Sequence, residues 1–503
     1  MKQTAVLIVK CMAFLLILII LLSMINAILL PKYTFTNTTW PSTGTFRNFY
    51  KMRKDSIDVL ILGSSVAVNN FIPQQLYNDY GIRSYALACE QQNVILSYYW
   101  LKEALRFQTP KLVIFEPLFL QNVFNLPLNS AEGMMRKALD PMHWSSVKRE
   151  AINDICKLDR SQSVISYYLT NIRFHERWKT LTKNDFIFDE RLYPRLYGWA
   201  PGGDSLYKAE SFIESDQNTT YQFKENMLVY FDRMISLCKE KGITFIMIKV
   251  PQGGGNIASI DYAYRQLAQK YDIDYYNLLE KSIFDKMDVD QSTDSILSHG
   301  NFQGNLKNNA MIGKIISQKY DIPSVKDDQY EVTRDIYKQI CDDYAITQIE
   351  DIDEYLQFIN RPGYAVMISA YDDAVSGLKD STKDLLWKLG TTVSWDKNEM
   401  FRRAYTAIIQ NGKTVDKVSL STGGKPLTIN GILKITNDTY SIVSAGYEDE
   451  GGSKSTISIN GKNYSIGSRG LNVVVYDLYL QRVVDSVCFD TFSDSAIIRK
   501  QNP

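Results

Sequence analysis

Asp58–Val68 reads DVLILGSSVAV. An apolar run, Val59 to Leu62, stops on Gly63, passes two hydroxyls at Ser64 and Ser65, and turns apolar again at Val66. A short apolar run bounded by turn residues reads as a buried strand, here Asp58–Leu62. Gly63 permits a tight turn. The two serines then fall at the start of the next helix, where outward-pointing backbone N–H groups favour negative charge. Two readings fit: a serine that caps the helix, or a serine nucleophile whose transition state develops an oxyanion beside those N–H groups.

Outward from this stretch, strands and helices alternate from residue 55 to about 322. Lys111–Phe115 (KLVIF), Thr244–Val250 (TFIMIKV) and Ile273–Leu278 read as strands. Asn93–Phe107, Asn226–Lys241 before Gly242, and Tyr262–Tyr271 carry helical spacing. This repetition implies α/β architecture, a parallel sheet with helices on both faces. Residues 119–225 interrupt the rhythm, with many aromatics and helices expected at Ser145–Ile155 and Ser161–Thr182. They are expected to cap the C-terminal edge of the sheet, where open α/β folds bind ligands. After Pro323 the pattern changes to an acidic helical stretch, a strand at Tyr364–Ser369, and a helix at Gly377–Leu389 closed by Gly390. β-type segments follow, with Asn-Gly turns at Asn430-Gly431 and Asn460-Gly461 and a strong strand at Leu471–Tyr476. Residues 330–503 read as a separate α/β domain.

Met12–Leu30 holds no charge, and its nineteen residues approach the ~30 Å hydrocarbon core of a bilayer. Lys2 and Lys10 precede it, so the expected topology is single-pass, N-terminus cytoplasmic, the bulk of the chain extracytoplasmic. The exit lacks a small-x-small cleavage pattern, which favours an uncleaved anchor over 1–33. Residues 34–54 read as a stalk. The 503 residues carry 56 basic and 56 acidic side chains, and neither the charge nor any motif supports nucleic-acid binding. Beyond Cys11, Cys89, Cys156, Cys238, Cys341 and Cys488 are scattered without CxxC or metal spacing and read as buried small hydrophobes. No metal or diffusible cofactor is expected.

A serine nucleophile needs a base. Of the histidines His143, His175 and His299, the last sits in TDSILSHGNFQG (Thr293–Gly304), just ahead of the final helix of the α/β region and with acids close before it. Gly63-Ser64-Ser65, then TPKLVIFEP, then KEKGITFIMIKVP, then His299-Gly300-Asn301, in this order, resemble the SGNH/GDSL hydrolase superfamily over residues 55–322, and within it the membrane-anchored DltD-like and glycan O-acetylation branch. The resemblance implies a flavodoxin-like three-layer fold with Ser65 as nucleophile and His299 as base. The acid of that family stands three before the histidine, where this chain has Ile296; Asp294 is the nearest substitute. Ser64, Asn93, Glu116 and Asn301 are candidates for lining the site or holding the oxyanion.

GSRGLNVVVYD (Gly467–Asp477), VVDSVCFDTFSD (Val483–Asp494) and MISAYDDAVSGLKDSTKDLLWKLGT (Met367–Thr391) resemble the interleukin-like EMT inducer (ILEI) family, with the two halves in permuted order. That resemblance implies an α/β-sandwich with a carbohydrate-binding role; locally, Asp372, Asp373 and Asp490 read as turn caps. Two functions follow. One is an extracytoplasmic serine esterase or O-acyltransferase acting on acyl groups of cell-envelope or extracellular glycans. The other is a catalytically degenerate scaffold that binds glycan through its C-terminal domain and assists a membrane-bound O-acyltransferase.

Overall fold

In the computed structural model the chain divides into two compact units, Met1–Arg334 and Asp335–Pro503. The residues described are 2–30, 42–121, 132–181, 183–186, 196–202, 208–209, 221–251, 257–493 and 497–499.

The first unit is built on five short strands: β1 (Val59–Gly63), β2 (Ser84–Ala88), β3 (Leu112–Phe115), β4 (Thr244–Lys249) and β5 (Asp274–Asn277). All pairings are parallel and the order is β2-β1-β3-β4-β5. This is the doubly wound order of flavodoxin type, whose crevice opens where β1 and β3 diverge to helices on opposite faces. Side chains alternate between two cores, as strand geometry requires. Leu60, Leu62, Tyr85, Leu87, Val113 and Phe115 pack under the helices Val94–Ala104 and Glu225–Glu240. Val59, Ile61, Ala86, Leu112 and Ile114 pack on the other face, under Pro73–Tyr80 and Phe302–Lys319.

β2 has no counterpart in the sequence reading. Its SYALA is short and rich in small residues, so it lacks the β-branched signature of its neighbours. The stalk expected over 34–54 is also corrected for its described part. Ser42–Phe49 is a helix whose Phe46 and Phe49 are buried, Phe46 stacking on Trp100 at 4.4 Å. The boundary expected at 330 falls later, because Tyr330 is fully buried in the first unit between the rings of Tyr77 and Tyr197. The single helix expected at Ser161–Thr182 is broken into Val164–Tyr168, Thr170–Phe174 and a 3₁₀ turn at His175–Thr180. Thr182 lies outside the described residues, as do 187–195, 203–207 and 210–220 of the expected cap. The N-terminal helix Lys2–Leu29 is long and apolar enough to cross a membrane.

The second unit is a curled sheet with helices on one side. β6 (Tyr364–Asp372) is its axis. β7 (Tyr405–Gln410) and β13 (Gly470–Asp477) flank it antiparallel, and β10 (Thr439–Gly446) joins its end in parallel. Val366 and Ile368 face the helices Ile352–Ile359 and Asp380–Leu389, while Ala365 and Met367 face the curled strands. Asn430-Gly431 is no turn: it lies inside β9 (Leu427–Ile432), where a Cβ on Gly431 would stand 2.4 Å from the Tyr440 hydroxyl. Asn460-Gly461 is a turn, both residues at positive φ (50° and 82°). All six cysteines are free, with Cys89, Cys238 and Cys488 buried.

Because Phe46 is sealed against Trp100, its removal leaves a cavity. Phe46→Ala is expected to lower unfolding stability by about 3–5 kcal/mol in denaturant titration; a loss under about 0.5 kcal/mol would mean that 42–49 is an appendage.

Candidate active site

β1 ends in a turn that only glycine allows at its position. A Cβ on Gly63 would lie 2.8 Å from the Cβ atoms of both Ala67 and Glu116. The chain therefore swings from strand to the helix Ser65–Asn70 with the end of β3 pressed against it. Ser64 is the N-cap: its Oγ accepts from the Val66 N–H and donates to Glu116 Oε2 at 3.3 Å. Ser65 is the first helical residue, nearly buried, and its Oγ lies 2.8 Å from His299 Nε2. The two readings of the Gly-Ser-Ser turn thus divide between the serines: the cap is Ser64 and the residue at the histidine is Ser65.

Amides brace the loop that carries His299. Ser298 and Gly300 on either side of it have positive φ (57° and 58°), backbone that Gly tolerates and Ser does not favour. Asn70, from the helix that begins at Ser65, donates to the Ser298 carbonyl at 2.9 Å. Asn308 donates to Asn70 Oδ1 at 2.6 Å and to the Ile296 carbonyl at 3.0 Å. Asn305 donates to the His299 carbonyl at 2.9 Å. Asn301 caps the last helix, accepting from Gly304 and Ser295 and donating to Thr293. Its carboxamide therefore shapes the loop and does not reach Ser65. Asn70, Asn305 and Asn308 escaped the sequence reading; their signal was the density of asparagine in NNF and NLKNNA, apolar-helix positions where amides are costly without partners.

The structure does not bring Asp294 to His299. Its two carboxylate oxygens accept from the Asp290 N–H at 2.8 Å and Thr293 Oγ1 at 3.0 Å, inside its own turn. Ile296, at the position expected of the acid, is fully buried in the core beneath β1. Asn93 is an N-cap, accepting from Leu96, with its Nδ2 on Met135 Sδ. The other histidines are elsewhere. His143 stacks on Tyr50 with centroids 3.5 Å apart, and His175 is exposed.

Burial sets the electrostatics. It pulls the His299 pKa below the ordinary 6.5, against an upward pull from Glu90, which favours the neutral imidazole at pH 7. Glu116 is fully buried, and burial lifts its pKa to about 7 despite N–H donation from Leu118 and the Ser64 hydroxyl. Lys249 at the end of β4 is buried with no hydrogen-bond partner for Nζ, and burial lowers it to about 8, against upward pulls from Asp261 and Glu116. Neither Lys249 nor Glu90, which holds Lys137 at 2.6 Å, was singled out from sequence.

No family model and no curated protein matches the chain. One solved structure similar to it is that of a presumed acylhydrolase of Bacteroides fragilis. The two share 11% identity over 54% of this chain and 93% of that chain, with a TM-score of 0.26, a likeness too low to carry an argument.

The lowered His299 pKa has a kinetic consequence. The rate at which an electrophile modifies Ser65 is expected to rise with pH through a midpoint below 6.5 and to stay flat from there to pH 8. A midpoint above 7 in stopped-time labelling would mean that His299 is not the base.

Proposed function

We propose that this chain is an SGNH-type serine esterase or O-acyltransferase, anchored by its N-terminal helix and acting outside the cytoplasm on acyl groups of cell-envelope or extracellular glycans. The observation that carries this reading is the 2.8 Å approach of Ser65 Oγ to His299 Nε2 at the C-terminal edge of a parallel sheet. The Gly-Ser-Ser turn, the β2-β1-β3-β4-β5 order and the histidine loop before the last helix support the SGNH assignment of 55–322.

In this reading Ser65 attacks the acyl carbonyl carbon while its proton passes to His299 Nε2. The backbone N–H groups at the start of the Ser65 helix stabilise the oxyanion. The imidazolium then returns the proton to the departing glycan oxygen, leaving an acyl-serine. Water, or a second sugar hydroxyl, gives its proton to His299 and takes the acyl group, and the imidazolium returns that proton to the departing Ser65 oxygen. Asp294 has no part in these steps as it is placed, so Ser65 and His299 work without it. A membrane-bound O-acyltransferase is the partner this chemistry suits, as a source of acyl groups.

The placement of Asp294 and Ile296 favours a second reading, a scaffold that no longer turns over. In either reading the ILEI-like unit binds glycan. The supporting feature is Arg402, whose guanidinium lies 4.3 Å from the Tyr447 ring centroid, with its Nε 3.9 Å from Asp372 Oδ1. Both of those atoms are buried without a hydrogen-bond partner. Asp373 and Asp490 serve as turn acceptors, Asp490 also pairing with Arg469.

Treating the full-length protein in detergent with a fluorophosphonate should add one adduct to the intact mass. Ser65→Ala should abolish it, and His299→Ala should slow it by about 10²-fold or more. Folded wild-type protein that takes no adduct would leave the scaffold reading. For the second unit, Arg402→Ala is expected to weaken retention on immobilised acidic polysaccharide about tenfold, the cost of roughly one charge-assisted contact; unchanged retention would remove the glycan site from this cluster.

A further inference from the structure

The helical insertion exposes apolar side chains on the segment that is tied to the outgoing end of the N-terminal helix. Trp178 is 67% exposed, Ile165 57% and Trp144 54%, with Tyr168, Ile172 and Phe186 also open. The Trp144 and Tyr168 rings meet at 4.9 Å, which joins the start of the insertion to this surface. Apolar residues scattered singly over a soluble surface need no explanation; a gathered set does.

The hydrogen bonds give its level. The Asn171 N–H donates to Asn26 Oδ1 at 3.0 Å, and Arg177 donates to the Leu29 carbonyl at 2.9 Å while holding Asp185 at 2.6 Å. Asn26 and Leu29 are in the last turn of the apolar helix. About 20 residues counted back from that turn fill the hydrocarbon core, so the last turn stands at the membrane boundary, and the groups bonded to it stand there too. Arg173, Arg177 and Lys179 lie on this segment, each paired with a carboxylate: Glu132, Asp185 and Glu176. Tryptophan and tyrosine rings with apolar neighbours and arginine or lysine beside them are the composition that seats a segment at lipid headgroup depth.

We propose that the face formed by Trp144, Ile165, Tyr168, Ile172 and Trp178 lies in the bilayer interface on the side where the helix emerges, at the level of the phospholipid headgroups. The unit then has two attachments, one spanning and one lying in the interface, and the insertion fixes its orientation to the membrane. This rests on the reading of Lys2–Leu29 as an uncleaved anchor.

The test uses the full chain in nanodiscs containing phospholipid brominated along the acyl chains, with tryptophan fluorescence as the readout. Wild type should be quenched, and the quenched fraction should fall by roughly half or more in Trp144→Phe/Trp178→Phe. Phe14→Trp, added to that double variant, reports on the helix. Quenching at Phe14→Trp with no difference between wild type and the double variant would overturn the interfacial face while leaving the anchor in place. That result would hand the face to a protein partner. No quenching at Phe14→Trp would overturn the anchor and the inference with it.

Discussion

The absence of one methyl group at Gly63 governs much of the first unit. Because β1 can end there without a side chain, the helix that follows can start within van der Waals distance of the end of β3. That proximity lets Ser64 reach Glu116 and frees Ser65 from capping duty, so that its hydroxyl meets a histidine 234 residues away. The two serines differ in role because one lies just outside the helix and the other just inside it, a difference of one residue that the turn alone sets.

The legible parts of the fold were those that physical patterning marks strongly. KLVIF and TFIMIKV are long apolar runs with β-branched residues, and both are central strands. SYALA was illegible because its central position is filled by small residues beneath the chain at 196–200; a Cβ on Gly198 would stand 1.8 Å from the Ala86 carbonyl oxygen. Asn430-Gly431 misled for a related reason, since its glycine accommodates the Tyr440 ring and not a reversal. At the site, His299 could be singled out because the chain has three histidines, and Ser65 because it follows a strand-ending glycine; the two side chains lie 2.8 Å apart. Glu116 was visible as an acid at a strand end. Asp294 could be weighed only by nearness in sequence, and spacing along a loop says little about which way a carboxylate turns. The asparagine bracing was invisible because each amide acts on a backbone carbonyl set by tertiary contact.

Beneath the serines, burial draws an acid and a base toward one another's range. Glu116 rises to about 7 and Lys249 falls to about 8. Each is disfavoured as an ion by its surroundings and favoured by the other, so the charge state of one depends on that of the other. The hydroxyl that caps the Ser65 helix is hydrogen-bonded to this pair's acidic member, which links the pair to the turn at the end of β1.

The loop that carries the imidazole is held by Asn70, Asn305 and Asn308. Carboxamides keep the same donors and acceptors from acid to alkali, whereas carboxylates and amines exchange theirs as they titrate. The mounting of His299 is thus indifferent to proton concentration even though its ring is not. Such an arrangement separates the part that stays still from the part that titrates, and acidification would protonate the ring without changing the donors and acceptors of the amides that hold it.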